Sequence, residues 1–141
     1  MVNHLKKNSL NVADVLLGMC RGHVDAVNHI CWQPGTNVMC TAFTDKTLSL
    51  WDPRSGLCSH TFYGHSNSCN SADFSRAPQG TSLASVDADG NLKVWDVRMV
   101  AAVQSSDVNE FPCGACSFDN SGALMTFACD SGRTLILDYF A

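Results

Sequence analysis

The residue types that most often do chemistry are well represented, with eight cysteines and five histidines among 141 residues. Cys113 and Cys116 have the C-x-x-C spacing of a structural zinc site or a dithiol redox centre. They form the only such pair in the chain. A zinc site needs four ligands, and residues three apart on a strand point to opposite faces, so no metal is expected there. Cys20, Cys31, Cys40, Cys58, Cys69 and Cys129 sit among apolar or β-forming neighbours and read as core thiols. No basic cluster adjoins any of the eight to draw out a thiolate. Asp87-Ala88-Asp89-Gly90-Asn91 starts like a calcium loop, but Leu92 holds the glycine position and Arg98 the terminal acid position, so a β-turn is expected. Gly64-His65-Ser66-Asn67-Ser68 lacks the last glycine of a nucleophile elbow, and neither a P-loop nor a dinucleotide-binding turn is present. The histidines do not cluster. His4, His29 and His60 stand alone, while His23 and His65 each follow a glycine. No catalytic residue, cofactor or metal is therefore expected, and the protein does not read as an enzyme.

Composition sets the frame in which those residues must sit. With 45% apolar and 16% charged residues, the chain has the material for a packed core. Nine basic residues against thirteen acidic ones give a formal charge of −4, without a basic stripe that would release counterions from nucleic acid or an anionic membrane. No apolar run nears the roughly 20 residues of a membrane helix. Met1 to Asn8 carries charge with no apolar segment behind it, so no secretory leader is expected and a cytoplasmic location is.

The elements that position the histidines recur at a fixed period. Gly22-His23 is followed nine residues after the histidine by Trp32, and Gly64-His65 nine residues on by Phe74. A short apolar stretch then leads to a turn aspartate, Asp45 or Asp89, and six residues later to Trp51-Asp52 or Trp95-Asp96. A third copy is degenerate: Val108-Asn109 stands for Gly-His, Phe118 for the aromatic and Leu137-Asp138 for Trp-Asp. A period of this length is the mark of a repeat architecture. Alternating stretches such as Thr47 to Trp51 and Asn91 to Trp95, bounded by Pro-Gly, Asp-Gly and Asn-Ser-Gly turns, predict four short strands per period and no helix. The expected strands are 26–32, 38–43, 47–52 and 57–62, then 69–74, 82–86, 92–96 and 100–104, then 113–118, 123–128 and 134–138. Residues 15–20 read as the outer strand of a preceding unit and 1–12 as a flexible arm. The repeats span about 22–63, 64–107 and 108–141 within a unit of 13–141.

Gly-His, a turn aspartate and Trp-Asp at this spacing resemble the WD40 repeat, which implies an all-β propeller with one four-stranded antiparallel sheet per blade. The resemblance further implies a buried network in which the histidine meets the turn carboxylate and a strand hydroxyl, and that hydroxyl meets the indole N–H. By residue match these are His23, Thr41, Asp45 and Trp51, then His65, Ser85, Asp89 and Trp95. Thr41 and Ser85 are chosen because each lies four residues before its aspartate. Three blades make an incomplete ring, expected to be completed by the missing blades of a larger propeller or by other chains.

The segments 22–28, 45–52, 61–65 and 84–90 are similar to WD-repeat proteins of the axonemal central apparatus, over about residues 16 to 140. That similarity implies a non-catalytic scaffold of the cilium or flagellum, with central-pair components as partners and a place in the microtubule cytoskeleton. The alternative is an adaptor or substrate-receptor module of another intracellular complex, such as a ubiquitin ligase or a centriole assembly factor. Propellers bind through loops at one end, so Asp25, Asn28, Asn67 and Asn70, near the starts of the inner strands, are the candidate partner-binding residues.

Overall fold

The computed structural model describes residues 18–78, 80–99, 101–107 and 112–139. The expected arm at 1–12, most of the outer strand at 15–20, and Val108-Asn109 lie outside the described residues. Eleven strands are present, with no helix among those residues: β1 (Val27–Trp32), β2 (Met39–Phe43), β3 (Leu48–Asp52), β4 (Leu57–Phe62), β5 (Cys69–Phe74), β6 (Ser82–Asp87), β7 (Asn91–Asp96), β8 (Ala101–Asp107), β9 (Cys113–Phe118), β10 (Leu124–Cys129) and β11 (Thr134–Asp138). They form three antiparallel meanders, a four-stranded sheet one (β1–β4), a four-stranded sheet two (β5–β8) and a three-stranded sheet three (β9–β11). The last strand of sheet two continues to Asp107, past the expected end at Gln104. Pairing of Asn91 with Asp107 and of Leu92 with Ser106 carries it on, since a polar stretch pairs through its backbone as well as an apolar one.

Each meander is joined by tight turns whose residues supply the needed backbone. In sheet one Lys46 adopts φ 74°, the only positive φ at a non-glycine residue among those described, and its counterpart in sheet two is Gly90 at φ 87°. Asp45 compensates for the strain by accepting from the Thr47 amide (3.0 Å) and hydroxyl (2.6 Å).

The sheets stack face to face in chain order with β1, β5 and β9 innermost. One apolar cluster lies between sheets one and two, built from Cys40, Leu48, Leu50 and Phe62 on one side and Phe74, Leu83 and Trp95 on the other. A second lies between sheets two and three, from Val86 and Val94 to Phe118, Met125 and Phe127. The central strands are buried on both faces in sheets one and two, which is why the β3 residues Leu48 to Trp51 all disappear from solvent.

Of the eight thiols, Cys58 departs from the expected core placement. It lies exposed on β4, the outer edge strand of sheet one, and Cys20 is only half-buried. Cys113 and Cys116 are both buried, because a bulge opposite Cys129 turns Cys113 back toward the core.

Candidate functional site

In sheet two the polar network is complete. Ser85 and Asp87, two residues apart on β6, point to one face and meet His65 from the loop before β5. Asp87 Oδ2 lies 3.0 Å from His65 Nδ1, Ser85 Oγ 2.6 Å from His65 Nε2, and Trp95 Nε1 donates to Ser85 Oγ at 2.8 Å. A carboxylate only accepts, so Nδ1 carries the proton; Nε2 then accepts from the Ser85 hydroxyl, which is free to do so because the indole can only donate to it. Burial holds the His65 pKa below its ordinary value against the pull of Asp87, consistent with this neutral tautomer. Burial would raise the Asp87 carboxyl, but Asn91, by side chain and backbone, and His65 outweigh it and hold the carboxyl below the usual range.

Asp89, the residue expected to face His65, does not reach it. The turn places Asp89 at the surface, where it accepts from Asn67 Nδ2 (2.9 Å) and Ser66 Oγ (3.4 Å). Its Oδ atoms are therefore on the loop end, while Asp87 fills the buried position and also caps the turn by accepting from the Asp89 and Asn91 amides at 3.0 Å each.

Sheet one is built differently because Phe43 occupies the strand position of Asp87. Trp51 Nε1 donates to Thr41 Oγ1 at 2.6 Å, and the Thr41 hydroxyl donates to the Ser49 carbonyl at 3.3 Å. His23 stacks on the Phe43 ring instead of reaching Thr41. Its Nδ1 is 3.6 Å from Asp45 Oδ2, and its buried Nε2 has no hydrogen-bond partner among the described residues. Burial lowers the His23 pKa, with Asp45 opposing. An open cleft of about 460 Å³, lined by His23, Asp45, Ser49, Trp51 and Tyr63, adjoins the ring.

Among the described residues, sheet three repeats neither the hydroxyl nor the carboxylate nor the tryptophan of this network. Phe127, Cys129 and Leu137 stand at the positions of Ser85, Asp87 and Trp95, and all belong to the apolar cluster. Cys113 and Cys129 lie opposite each other with their sulfurs 3.1 Å apart. Burial pushes the Cys116 thiol up to about 12, so it stays protonated. Cys69 is likewise pushed up to about 12 by burial, with the Asp87 charge adding to it.

The candidate partner-binding residues divide into two pairs. Asp25 and Asn67 stand at equivalent positions on the loop end; Asp25 is exposed and accepts from the Ala26 amide (2.8 Å), and Asn67 is fixed by Asp89. Asn28 and Asn70 are instead used between sheets. Asn28 Nδ2 donates to the Cys69 carbonyl at 2.8 Å and Asn70 Nδ2 to the Cys113 carbonyl at 3.0 Å. One residue further on, His29 Nδ1 accepts from the Ala72 amide (3.5 Å) and Ser71 Oγ from the Cys116 amide (3.2 Å). The equal spacing of Asn28 and Asn70 from their Gly-His motifs was visible in the sequence; the carbonyls they reach, on the next sheet, were not.

Stacked four-stranded meanders tied by a Gly-His, hydroxyl and tryptophan network are the blades of a β-propeller. Residues 14–52 and 56–96, more than half of the chain, match the family described as WD domain, G-beta repeat, and the chain belongs to this WD40-repeat family. A denticleless protein homolog from Danio rerio is 38% identical over 78 residues, covering 55% of this chain and 12% of that protein. THO complex subunit 3 from Arabidopsis thaliana is 35% identical over 79 residues, 55% of this chain and 24% of the relative. A nuclear distribution protein PAC1 from Arthroderma benhamiae is 29% identical over 115 residues, 75% of this chain and 25% of the relative. The chain thus spans a quarter or less of the length of these relatives.

Proposed function

We propose that the chain is part of a non-catalytic protein–protein interaction scaffold and that it meets its partner through the loop end carrying Asp25, Ser66, Asn67 and Asp89. The observation that carries this reading is the Asn67–Asp89 bond, with Ser66 beside it: exposed polar groups held in fixed orientation on rigid blades bind without paying to be ordered. Membership of the WD40-repeat family supports the scaffold role. The end is acidic and acceptor-rich, which favours a partner that offers Lys, Arg or backbone N–H donors.

The finer reading places the scaffold in the central apparatus of motile cilia, in the cytoplasmic microtubule cytoskeleton, bound to central-pair components. It rests on the segment similarity over residues 16 to 140. The adaptor reading rests on the relatives, whose names come from other settings, among them a THO complex and nuclear distribution. Fractionating axonemes separates the two. The full-length protein is expected with central-pair microtubules and depleted from axonemes lacking them; recovery in the membrane and matrix fraction overturns the ciliary reading. The loop end has its own test. Asp25→Ala, Asn67→Ala and Asp89→Ala combined should abolish recovery with the partner while moving the melting midpoint little, because each change is at the surface. Undiminished recovery would move the binding site elsewhere.

A further inference from the structure

All three sheets carry a bulge at the same place on their innermost strand, and the residue pair beside it differs in each. Asn28, Asn70 and Gly114 are the extra residues, and the pairs next to them are Val27 with Phe43, Cys69 with Asp87 and Cys113 with Cys129. One bond closes each ladder just beyond the pair, from the Thr44 amide to the Ala26 carbonyl at 3.0 Å, from Ala88 to Ser68 at 2.9 Å and from Asp130 to Pro112 at 3.0 Å. Bonded and non-bonded pairs alternate along an antiparallel ladder, so all three pairs are of the non-bonded kind, with Cα atoms about 4.5 Å apart and side chains close. Sheet one fills the position with apolar groups, sheet two with the network carboxylate Asp87, and sheet three with two thiols.

A disulfide spans Cα atoms about 4.4–6.8 Å apart, a condition this position meets. The sulfurs of Cys113 and Cys129 already lie 3.1 Å apart, so the bond needs the two side chains to close by about 1 Å. Two other pairings are less well placed. Cys31 and Cys40 also face each other, across β1 and β2, but they lie two steps in from the Gln33 to Val38 bond (2.9 Å) and so form a bonded pair, with Cα atoms about 5.5 Å apart and side chains less close. Cys116 completes the C-x-x-C spacing with Cys113 but is turned to sheet two, where its Sγ lies 3.8 Å from Ser71 Oγ and 3.9 Å from the Ala84 carbonyl.

We propose that Cys113 and Cys129 form a redox site, at which hydrogen peroxide converts the two thiols into a reversible disulfide that ties β9 to β10 and stabilises sheet three. Cys129 keeps 9% of its surface exposed and Cys113 none, so Cys129 meets the oxidant first. Its sulfur takes one oxygen from the peroxide, the O–O bond breaks, and a sulfenic acid forms as water leaves. The Cys113 thiol then attacks that sulfur. The S–S bond forms, the S–O bond breaks, and a second water leaves with the thiol proton, so the pair is oxidised by two electrons and the peroxide is reduced to two waters. A dithiol reverses the step by exchange. The resulting bond joins residues 16 apart, in a sheet where Phe127 and Leu137 replace the hydroxyl and indole of the polar network. It stands whether or not the loop end binds a partner.

The test uses the full chain with Cys20→Ser and Cys58→Ser, which removes the two thiols that are not buried. Reduced protein is treated with hydrogen peroxide, then denatured, alkylated and mapped by tandem mass spectrometry. Cys113 and Cys129 should escape alkylation as one linked pair lacking two hydrogens, the other cysteines should be alkylated, and dithiothreitol should restore both thiols. The same treatment in urea should scatter the linkage among the thiols, because the folded register is what brings Cys129 to Cys113. Oxidation should raise the melting midpoint by at least about 5 °C, the effect of closing a loop of this length, and Cys129→Ala should show no rise. Cys113 joined to Cys116, Cys31 joined to Cys40, or no linkage in the folded chain overturns the proposal. So does the same Cys113–Cys129 linkage in urea, or a linked pair that leaves the midpoint where it was.

Discussion

Asp87 and Asp89 are two residues apart and have opposite consequences. Asp87 is fully buried and accepts from His65 Nδ1, from the backbone of Asp89 and Asn91, and from the Asn91 side chain. Asp87→Ala strands those neutral donors in the core and should cost about 3 kcal/mol, the upper end for leaving buried hydrogen-bonding groups unsatisfied. Asp89→Ala removes only surface bonds and should stay within about 0.5 kcal/mol. Chemical denaturation of both variants checks this, and equal losses would mean that Asp89 is the network carboxylate. A pH effect follows from His65. Its folded pKa lies below the unfolded one, so the unfolded chain takes up a proton first as pH falls through about 6.5, and stability drops from there downward. His23 acts in the same direction. The melting midpoint should therefore fall between pH 7 and pH 5, and fall less in His65→Gln, which is destabilised at both. Asp89 was the sequence-based choice because it shares with Asp45 the offset from tryptophan. The sequence does carry the competing signal, since Ser85 and Asp87 alternate on one strand face, whereas Phe43 blocks that position in sheet one. Offset alone could not rank the two carboxylates; burial does.

At the scale of elements, period and turn chemistry were enough to locate every described strand to within about three residues, because most strand ends fall beside a Gly, Pro, Asn or Asp turn. The contacts between one sheet's turn and the next sheet's loop were not legible, because they join residues more than 40 apart. Gly122 is an example. It lies in the turn between β9 and β10 at φ +74°, and a Cβ there would meet the Ala77 amide nitrogen and Ser75 Oγ at 2.6 Å each. Arg76 Nη1 donates to the Phe118 carbonyl at 3.0 Å in the same region, so this loop of sheet two clamps the end of β9 and the turn after it. Gly122→Ala must both strain its φ and push backbone aside. Gly132, in the turn before β11, has φ +77° with nothing within 4 Å. Its alanine variant should cost about 1 kcal/mol, the left-handed penalty alone, and Gly122→Ala about 3 kcal/mol. Thermal melts of the two would show a common cost if the Ser75–Ala77 contact were loose.

The whole molecule is a short linear stack in which sheet two is the only member with a neighbour on both sides among the described residues. In such a stack stability is close to a sum of unit and interface terms, so the middle unit governs how far an injury spreads. Trp95 belongs to sheet two's network through Ser85 and to the first cluster through Phe62. Trp95→Ala removes a large buried ring and the donor to Ser85, for about 3–5 kcal/mol. It should also loosen sheet one. Leu137 is only half-buried at the far side of the second cluster, in the sheet whose network is already replaced by Phe127 and Cys129. Leu137→Ala should cost about 2 kcal/mol, the low end for a leucine truncation, and leave sheets one and two in place. Amide hydrogen exchange on the full chain distinguishes the two patterns. Trp95→Ala should speed exchange in β2, β3, β6 and β7 together, and Leu137→Ala should confine the change to β10 and β11. If Leu137→Ala instead released β2 and β3 as well, the three sheets would unfold as a single cooperative unit, and the nearest-neighbour picture of the stack would have to be given up.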